Sequence, residues 1–227
     1  MGGYQHIKVD SSLGPMGAEI SGVDLSQPLE AEVVAEIHRA WLEHYAVFFH
    51  DQDLSPNAQA QFAANFGELD QYRFMQAVEE NPYVIPIIKE ADATLNFGGG
   101  WHTDSSYQAI PPKATVLYAL EVPEEGGDTK FANATAAYDA LSDGMKENLL
   151  RWRGVFSPKL VHGSGGFYKN EEAEENLGNS YGGDDDYAET EVVHPIIRTH
   201  AETGAKSIYC GLAHTVNIQG WSRDDSL

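Results

Sequence analysis

His102 and Asp104, inside the run Trp-His-Thr-Asp-Ser-Ser-Tyr over 101–107, set an imidazole and a carboxylate two residues apart. In a β-strand residues i and i+2 project to the same face, so such a pair can grip one metal ion side by side. The triplet alone is weak evidence, because nine His and fifteen Asp in 227 residues give about 0.6 such triplets by chance. Its neighbours add weight. Gly126-Gly-Asp-Thr129 follows, with Thr129 placed 27 residues after His102, and the run His194-Pro-Ile-Ile-Arg-Thr-His200 lies further on.

The elements that must position these residues are legible in outline. Ser26, Pro28 and the stripe Val33, Ile37, Trp41 predict an amphipathic helix from about Pro28 to Tyr45, and Val47-Phe-Phe49 then reads as a buried strand. Ser55-Pro56 opens a second helix, which carries Phe62 and Phe66 and ends at Gly67. Val84 to Lys89, Trp101 to Tyr107 and Thr115 to Leu120 read as strands by their β-branched and aromatic content. Asn133 caps a short helix through Leu141 and Ser142 another through Trp152. Val192 to Thr199 and Ser207 to Cys210 form strands joined through Thr203-Gly204 in a hairpin turn.

Residues 157–191 differ from their surroundings: acidic and glycine-rich, with few apolar anchors, they read as a mobile excursion within a single domain spanning 1–227. A solvated loop and a lid over a substrate pocket are the two readings of that stretch. At 24.9 kDa one domain can bury a sizeable core.

A net charge of −21 argues against nucleic acid or an anionic membrane as partner and for a solubilising acidic surface. No apolar run approaches the length that crosses a bilayer, and the N-terminus lacks the basic and apolar regions of a signal peptide, so a cytoplasmic location is expected. The lone Cys210 agrees with a reducing compartment and reads as a buried, inert thiol. The expected partner is a small-molecule substrate, with homo-oligomerisation left open.

These motifs, with Leu13-Gly-Pro-Met-Gly-Ala-Glu-Ile-Ser-Gly-Val-Asp-Leu25, resemble the taurine dioxygenase/2,4-dichlorophenoxyacetate dioxygenase family of Fe(II), 2-oxoglutarate-dependent oxygenases, from about Lys8 to Trp221. The resemblance implies a β-rich α+β fold, a double-stranded β-helix or jelly roll with flanking helices. It implies Fe(II), 2-oxoglutarate and dioxygen as cofactor and cosubstrates, His102 and Asp104 as metal ligands, and Thr129 as a hydrogen-bond partner of a 2-oxoglutarate carboxylate. Two His and one carboxylate on one octahedral face leave positions open for cosubstrate and oxygen. The expected activity is hydroxylation of a small organic substrate, with anionic molecules among the candidates; the stretch Phe66 to Met75 lacks the His pattern of taurine enzymes, which makes taurine itself doubtful.

The chain departs from the family in one respect. The distal His of an Asp-Asn-Arg type element and the following cosubstrate Arg have no match, so the third ligand is expected beyond Leu227 and the jelly roll is expected to be incomplete at its C-terminus. Ser222 and Asp225 read as a capping box that opens a helix. His194 and His200 read as structural, His162 as the start of the excursion, and His214 as a pocket-lining or packing residue. The competing readings are a non-catalytic jelly-roll binding protein or an inactive fragment, and, more weakly, a zinc hydrolase, for which no His-Glu-x-x-His motif is present.

Overall fold

The computed structural model describes residues 3–226 apart from Leu13, Asp92, Leu95 and 170–182. The chain packs as two compact units. The first comprises Met1–Asp70, Val78–Val84 and Val116–Asn133; the second comprises Gln71–Ala77, Ile85–Thr115 and Ala134–Leu227.

The first unit holds a three-stranded sheet. β1 (Lys8–Asp10) pairs antiparallel with β2 (Ala18–Ser21), Val9 opposite Ile20, and β2 pairs parallel with β3 (Val47–Phe49), Glu19 opposite Phe48. The parallel pairing is reached through α1 (Ala31–His44), the crossover that a parallel pair requires. α1 begins later than its sequence signals suggest because Ser26 is engaged elsewhere. Its N–H and hydroxyl both donate to the Asp24 carboxylate, at 2.9 and 2.6 Å, forming a local turn. The helix ends at Tyr45, whose φ of 68° turns the chain while its N–H donates to the Trp41 carbonyl.

α2 (Pro56–Ala64) has the expected Ser55 cap, whose hydroxyl accepts from Ala58 N–H. It stops short of Gly67 because the Asn65 side-chain amide donates to the Gln61 and Phe62 carbonyls and closes the last turn. Ile7, Ile20, Leu25, Ile37, Ala40 and Phe62 form the core beneath the sheet. Ile37 is 1% exposed, and truncating it to Ala removes about 2–5 kcal/mol of packing.

In the second unit β4 (Arg153–Phe156) lies between β5 (Val192–Pro195) and β8 (Thr215–Ile218), antiparallel to both, with Gly154 opposite His194 and Ile218. The expected continuous strand from Val192 to Thr199 is split at Ile196, which leaves one sheet for another. Its N–H donates to the Trp152 carbonyl and its carbonyl accepts from Tyr209 N–H. β6 (Ile197–Thr199) then pairs with β7 (Lys206–Ile208) in the expected hairpin, Gly204 supplying the positive φ of 71°.

Short helices complete this unit. α3 (Ala134–Asp139) and α4 (Asp143–Leu149) occupy the expected region, and Ser142 caps α4 through Met145 N–H. α5 (Lys159–His162) and α6 (Asp185–Ala188) flank the undescribed stretch. α7 (Arg223–Ser226) is opened by the expected capping box, with the Ser222 hydroxyl both accepting from Asp225 N–H and donating to its carboxylate.

Three expected strands are absent among the described residues: Val84 to Lys89, Trp101 to Tyr107 and Thr115 to Leu120 are irregular chain. β-branched and aromatic residues favour strands only where a neighbouring ladder accepts them. At 101–107 the chain instead turns, with Ser105 at φ 47° and Gln108 N–H donating to the Ser105 carbonyl. The expected excursion over 157–191 falls in large part on 170–182, outside the described residues. Its flanks are anchored rather than poor in contacts, since Ser157, His162, Tyr168 and Ala188 are buried.

Candidate metal centre

The irregular segment 96–115 brings the two side chains expected to bind metal together without a strand. His102 Nε2 lies 2.9 Å from Asp104 Oδ1. Each side chain is fixed from behind. The Gly100 carbonyl, 2.7 Å away, can only accept, so His102 Nδ1 carries the proton. The Thr115 hydroxyl donates to Asp104 Oδ2 at 2.6 Å. Nε2 and Oδ1 are thereby left facing one point.

That spacing suits a metal. Two adjacent octahedral ligands at about 2.1 Å from an ion stand about 3.0 Å apart, and carboxylate and imidazole are the donor types a 2-His-1-carboxylate iron site uses. Without an ion the two groups share a proton. The hydrogen bond to Asp104 raises the His102 pKa, and the same bond, helped by Thr115, lowers that of Asp104. A cation bound between them would displace that proton.

A second layer of contacts holds the segment. Gly98 has φ 72°, and a Cβ there would sit 3.3 Å from the His102 ring, so the position needs glycine both for its backbone and for the approach of the imidazole. Its N–H donates to the Tyr168 hydroxyl at 2.8 Å, and that hydroxyl donates to the Asn96 carbonyl at 3.3 Å. Phe97 stacks on the Tyr168 ring. Tyr168 therefore clamps the loop that leads into His102, a role that nothing in its sequence context signals.

His162, expected at the start of a loose segment, is instead 2% exposed and stacked on Phe74 at 4.0 Å between ring centroids. Burial pushes its pKa down to about 3, with His214 adding to the effect. Tyr72 meets its Nε2 at 3.2 Å. Arg73 pairs with Asp184 at 3.5 Å and covers the Tyr187 ring.

His214 lines the recess beside His102 together with Ser106, Phe156, Tyr209 and Cys210. Burial depresses its pKa to about 4. His194 is structural, its Nε2 donating to the Gln108 carbonyl at 2.8 Å, and His200 accepts backbone N–H groups in the β6–β7 turn. Cys210 is exposed rather than buried, because β7 ends at Ile208 and the chain leaves the sheet before it. Packing around its sulfur nevertheless raises the thiol pKa, which keeps it protonated and a poor nucleophile.

Among the described residues no third His, Cys, Asp or Glu joins His102 and Asp104 to form a three-ligand group. Thr129 lies in exposed, irregular chain of the first unit, after Gly126 and Gly127 at positive φ, whereas His102 and Asp104 belong to the second. Only the His-Asp pair is brought together within a unit.

Residues 9–227 match the family model described as "Taurine catabolism dioxygenase TauD, TfdA family". The chain belongs to that family. Across 98% of its length it is 32% identical to an alkylsulfatase from Acinetobacter baylyi, covering 68% of that protein. It is 30% identical to the alpha-ketoglutarate-dependent 2,4-dichlorophenoxyacetate dioxygenase of Cupriavidus pinatubonensis, over 93% of this chain and 76% of that one. The crystal structure of a taurine dioxygenase from Burkholderia xenovorans superposes with a TM-score of 0.71 at 29% identity, over 98% of this chain and 69% of that one.

TauD/TfdA proteins are Fe(II)- and 2-oxoglutarate-dependent dioxygenases with the jelly-roll fold, and this chain is an enzyme of that kind acting on a small organic substrate. No helix among the described residues is long and apolar enough to cross a membrane.

Proposed function

We propose that His102 and Asp104 are two of the iron ligands of a dioxygenase that hydroxylates a small anionic organic molecule at a carbon bearing oxygen. The observation that carries this reading is the 2.9 Å separation of Nε2 and Oδ1, with the far atoms of both side chains already held by Gly100 and Thr115. Iron bound there supplies oxygen activation coupled to decarboxylation of 2-oxoglutarate. The protein's own residues orient the ligands, exclude water and direct the substrate.

Thr129 is proposed to hydrogen-bond a carboxylate of 2-oxoglutarate, as its Gly-Gly-Asp-Thr context suggests; a hydroxyl donor to an ionised acceptor suits that task. The substrate class follows from the relatives. An alkylsulfatase and a 2,4-dichlorophenoxyacetate dioxygenase are named for anionic molecules in which an oxygen atom is attached to an alkyl carbon. The net charge of −21 and the single Cys210 support a cytoplasmic setting without a nucleic-acid partner.

The test pairs binding with turnover. Mn(II) together with 2-oxoglutarate should raise the melting temperature of the wild-type protein. His102→Ala and Asp104→Ala should lose that stabilisation and any Fe(II)-dependent succinate formation. Full metal-dependent stabilisation in His102→Ala would reject the assignment.

A further inference from the structure

The turn that leads into His102 has little in its own sequence to hold it. Asn96 and the run Gly98-Gly99-Gly100 are exposed, and successive glycines leave a backbone freer than any other residues do. Yet two parts of this turn meet the His102 ring. The Gly100 carbonyl takes the Nδ1 proton at 2.7 Å, and the Gly98 backbone lies so close that a Cβ there would stand 3.3 Å from the imidazole Cε1. The direction in which Nε2 points, toward Asp104 Oδ1, therefore depends on where the turn sits.

A buried side chain 70 residues away in the same unit fixes that position. Tyr168 is 5% exposed; its hydroxyl accepts from Gly98 N–H at 2.8 Å and donates to the Asn96 carbonyl at 3.3 Å, while Phe97 stacks on its ring. The Asn96 carbonyl also accepts from Gly99 N–H at 3.2 Å, which closes the turn. Tyr168 is pinned in its own right. Its N–H donates to the Val161 carbonyl at 3.0 Å and Phe167 N–H to the Leu160 carbonyl at 3.1 Å, folding the segment back over α5. That return needs Gly166, where a Cβ would come within 2.6 Å of the Val161 backbone.

We propose that Tyr168 is a positioning residue of the metal centre: its hydroxyl holds the 96–100 turn so that His102 presents Nε2 before a cation arrives, and part of the metal affinity is this preorganisation. The inference rests on the reading of His102 and Asp104 as iron ligands. The two ligands then have separate supports, Tyr168 behind His102 and Thr115 behind Asp104.

Mn(II) alone, titrated calorimetrically into the full chain, tests it. Tyr168→Phe keeps the ring and its stack on Phe97, and should bind Mn(II) about three- to tenfold more weakly, the worth of one net hydrogen bond. Ser142→Ala, which removes the α4 cap in the same unit, should lower the melting temperature and leave Mn(II) affinity unchanged. A second readout needs no metal. At about pH 6, below the ordinary imidazole pKa, His102 carries protons on both ring nitrogens. Its Nδ1–H should exchange with solvent about three- to tenfold faster in Tyr168→Phe than in wild type, and at the wild-type rate in Ser142→Ala.

Should Tyr168→Phe fail to fold, the wild type decides: the Gly98 amide, bonded to Tyr168, and the His102 Nδ1–H should share one protection factor, because one opening of the turn releases both. Either readout unchanged in folded Tyr168→Phe, or matched by Ser142→Ala, or unrelated protection of the two protons in wild type, would overturn the role of Tyr168. Absence of Mn(II) binding by the wild type would instead overturn the iron reading, and the exchange of the His102 Nδ1–H would still decide whether Tyr168 positions the ring.

Discussion

Acidification should destabilise this protein through His162 in a window set by its burial. The imidazole is stacked on Phe74 and shielded on its other sides, and its folded pKa of about 3 compares with 6.5 in an unfolded chain. Between these values the unfolded state binds a proton that the folded state refuses. The stabilising contribution is therefore complete above pH 6.5 and is lost progressively as the pH falls toward 3. At about 1.4 kcal/mol per pH unit, His162 alone removes roughly 1.4 kcal/mol by pH 5.5 and roughly 2–3 kcal/mol by pH 4.5.

Urea unfolding at pH 7.5, 6.5, 5.5 and 4.5 reads this directly when wild type is compared with His162→Gln, which keeps a hydrogen-bonding group for Tyr72 but cannot titrate. The variant should be less stable at neutral pH, because it loses the stacked ring, yet its stability should fall less on acidification. The two curves should converge by roughly 2–3 kcal/mol between pH 7.5 and 4.5. Parallel curves would refute the argument, since they would mean that His162 titrates alike in both states and is not held neutral by burial.

Thr115→Val should leave the fold intact while freeing Asp104 Oδ2, weakening Mn(II) binding about ten- to a hundredfold in a calorimetric titration. Thr129→Val should weaken 2-oxoglutarate binding about tenfold or more, the worth of a hydrogen bond to a charged acceptor, while Mn(II) binding alone stays unchanged. Metal uptake should release a proton near neutral pH, because the His102 pKa in the metal-free protein is raised by Asp104. The apparent metal affinity should then fall as the pH drops through that raised value, which buffer-dependent calorimetric enthalpies would detect. The stability that His102 itself gives the metal-free protein runs the other way, complete below pH 6.5 and lost as the pH rises through the raised value.

The sequence by itself carried the family, the meeting of His102 with Asp104 and the elements whose signals are local. α2 begins where Ser55 and Pro56 place it, α4 where Ser142 caps it, and the β6–β7 hairpin turns where Gly204 permits it, because caps and turns are satisfied by atoms a few residues away. The pairing of His102 with Asp104 was also legible, although for the wrong geometric reason: the two meet through a turn with Ser105 at positive φ, not across a strand face.

What only the tertiary structure decided depends on partners far away in sequence. A strand exists only if a ladder accepts it, so 84–89, 101–107 and 115–120 could not be judged from their own composition. Tyr168 reaches Gly98 across 70 residues and Thr115 reaches Asp104 across 11, and neither hydroxyl announces its partner. His162 and His214 look alike as isolated histidines. Packing buries both and depresses both pKa values, because desolvation is a property of the packed chain and not of the residue, and their contacts then separate them: one stacks on Phe74 and meets Tyr72, and the other has a buried Nδ1 with no hydrogen-bond partner among the described residues.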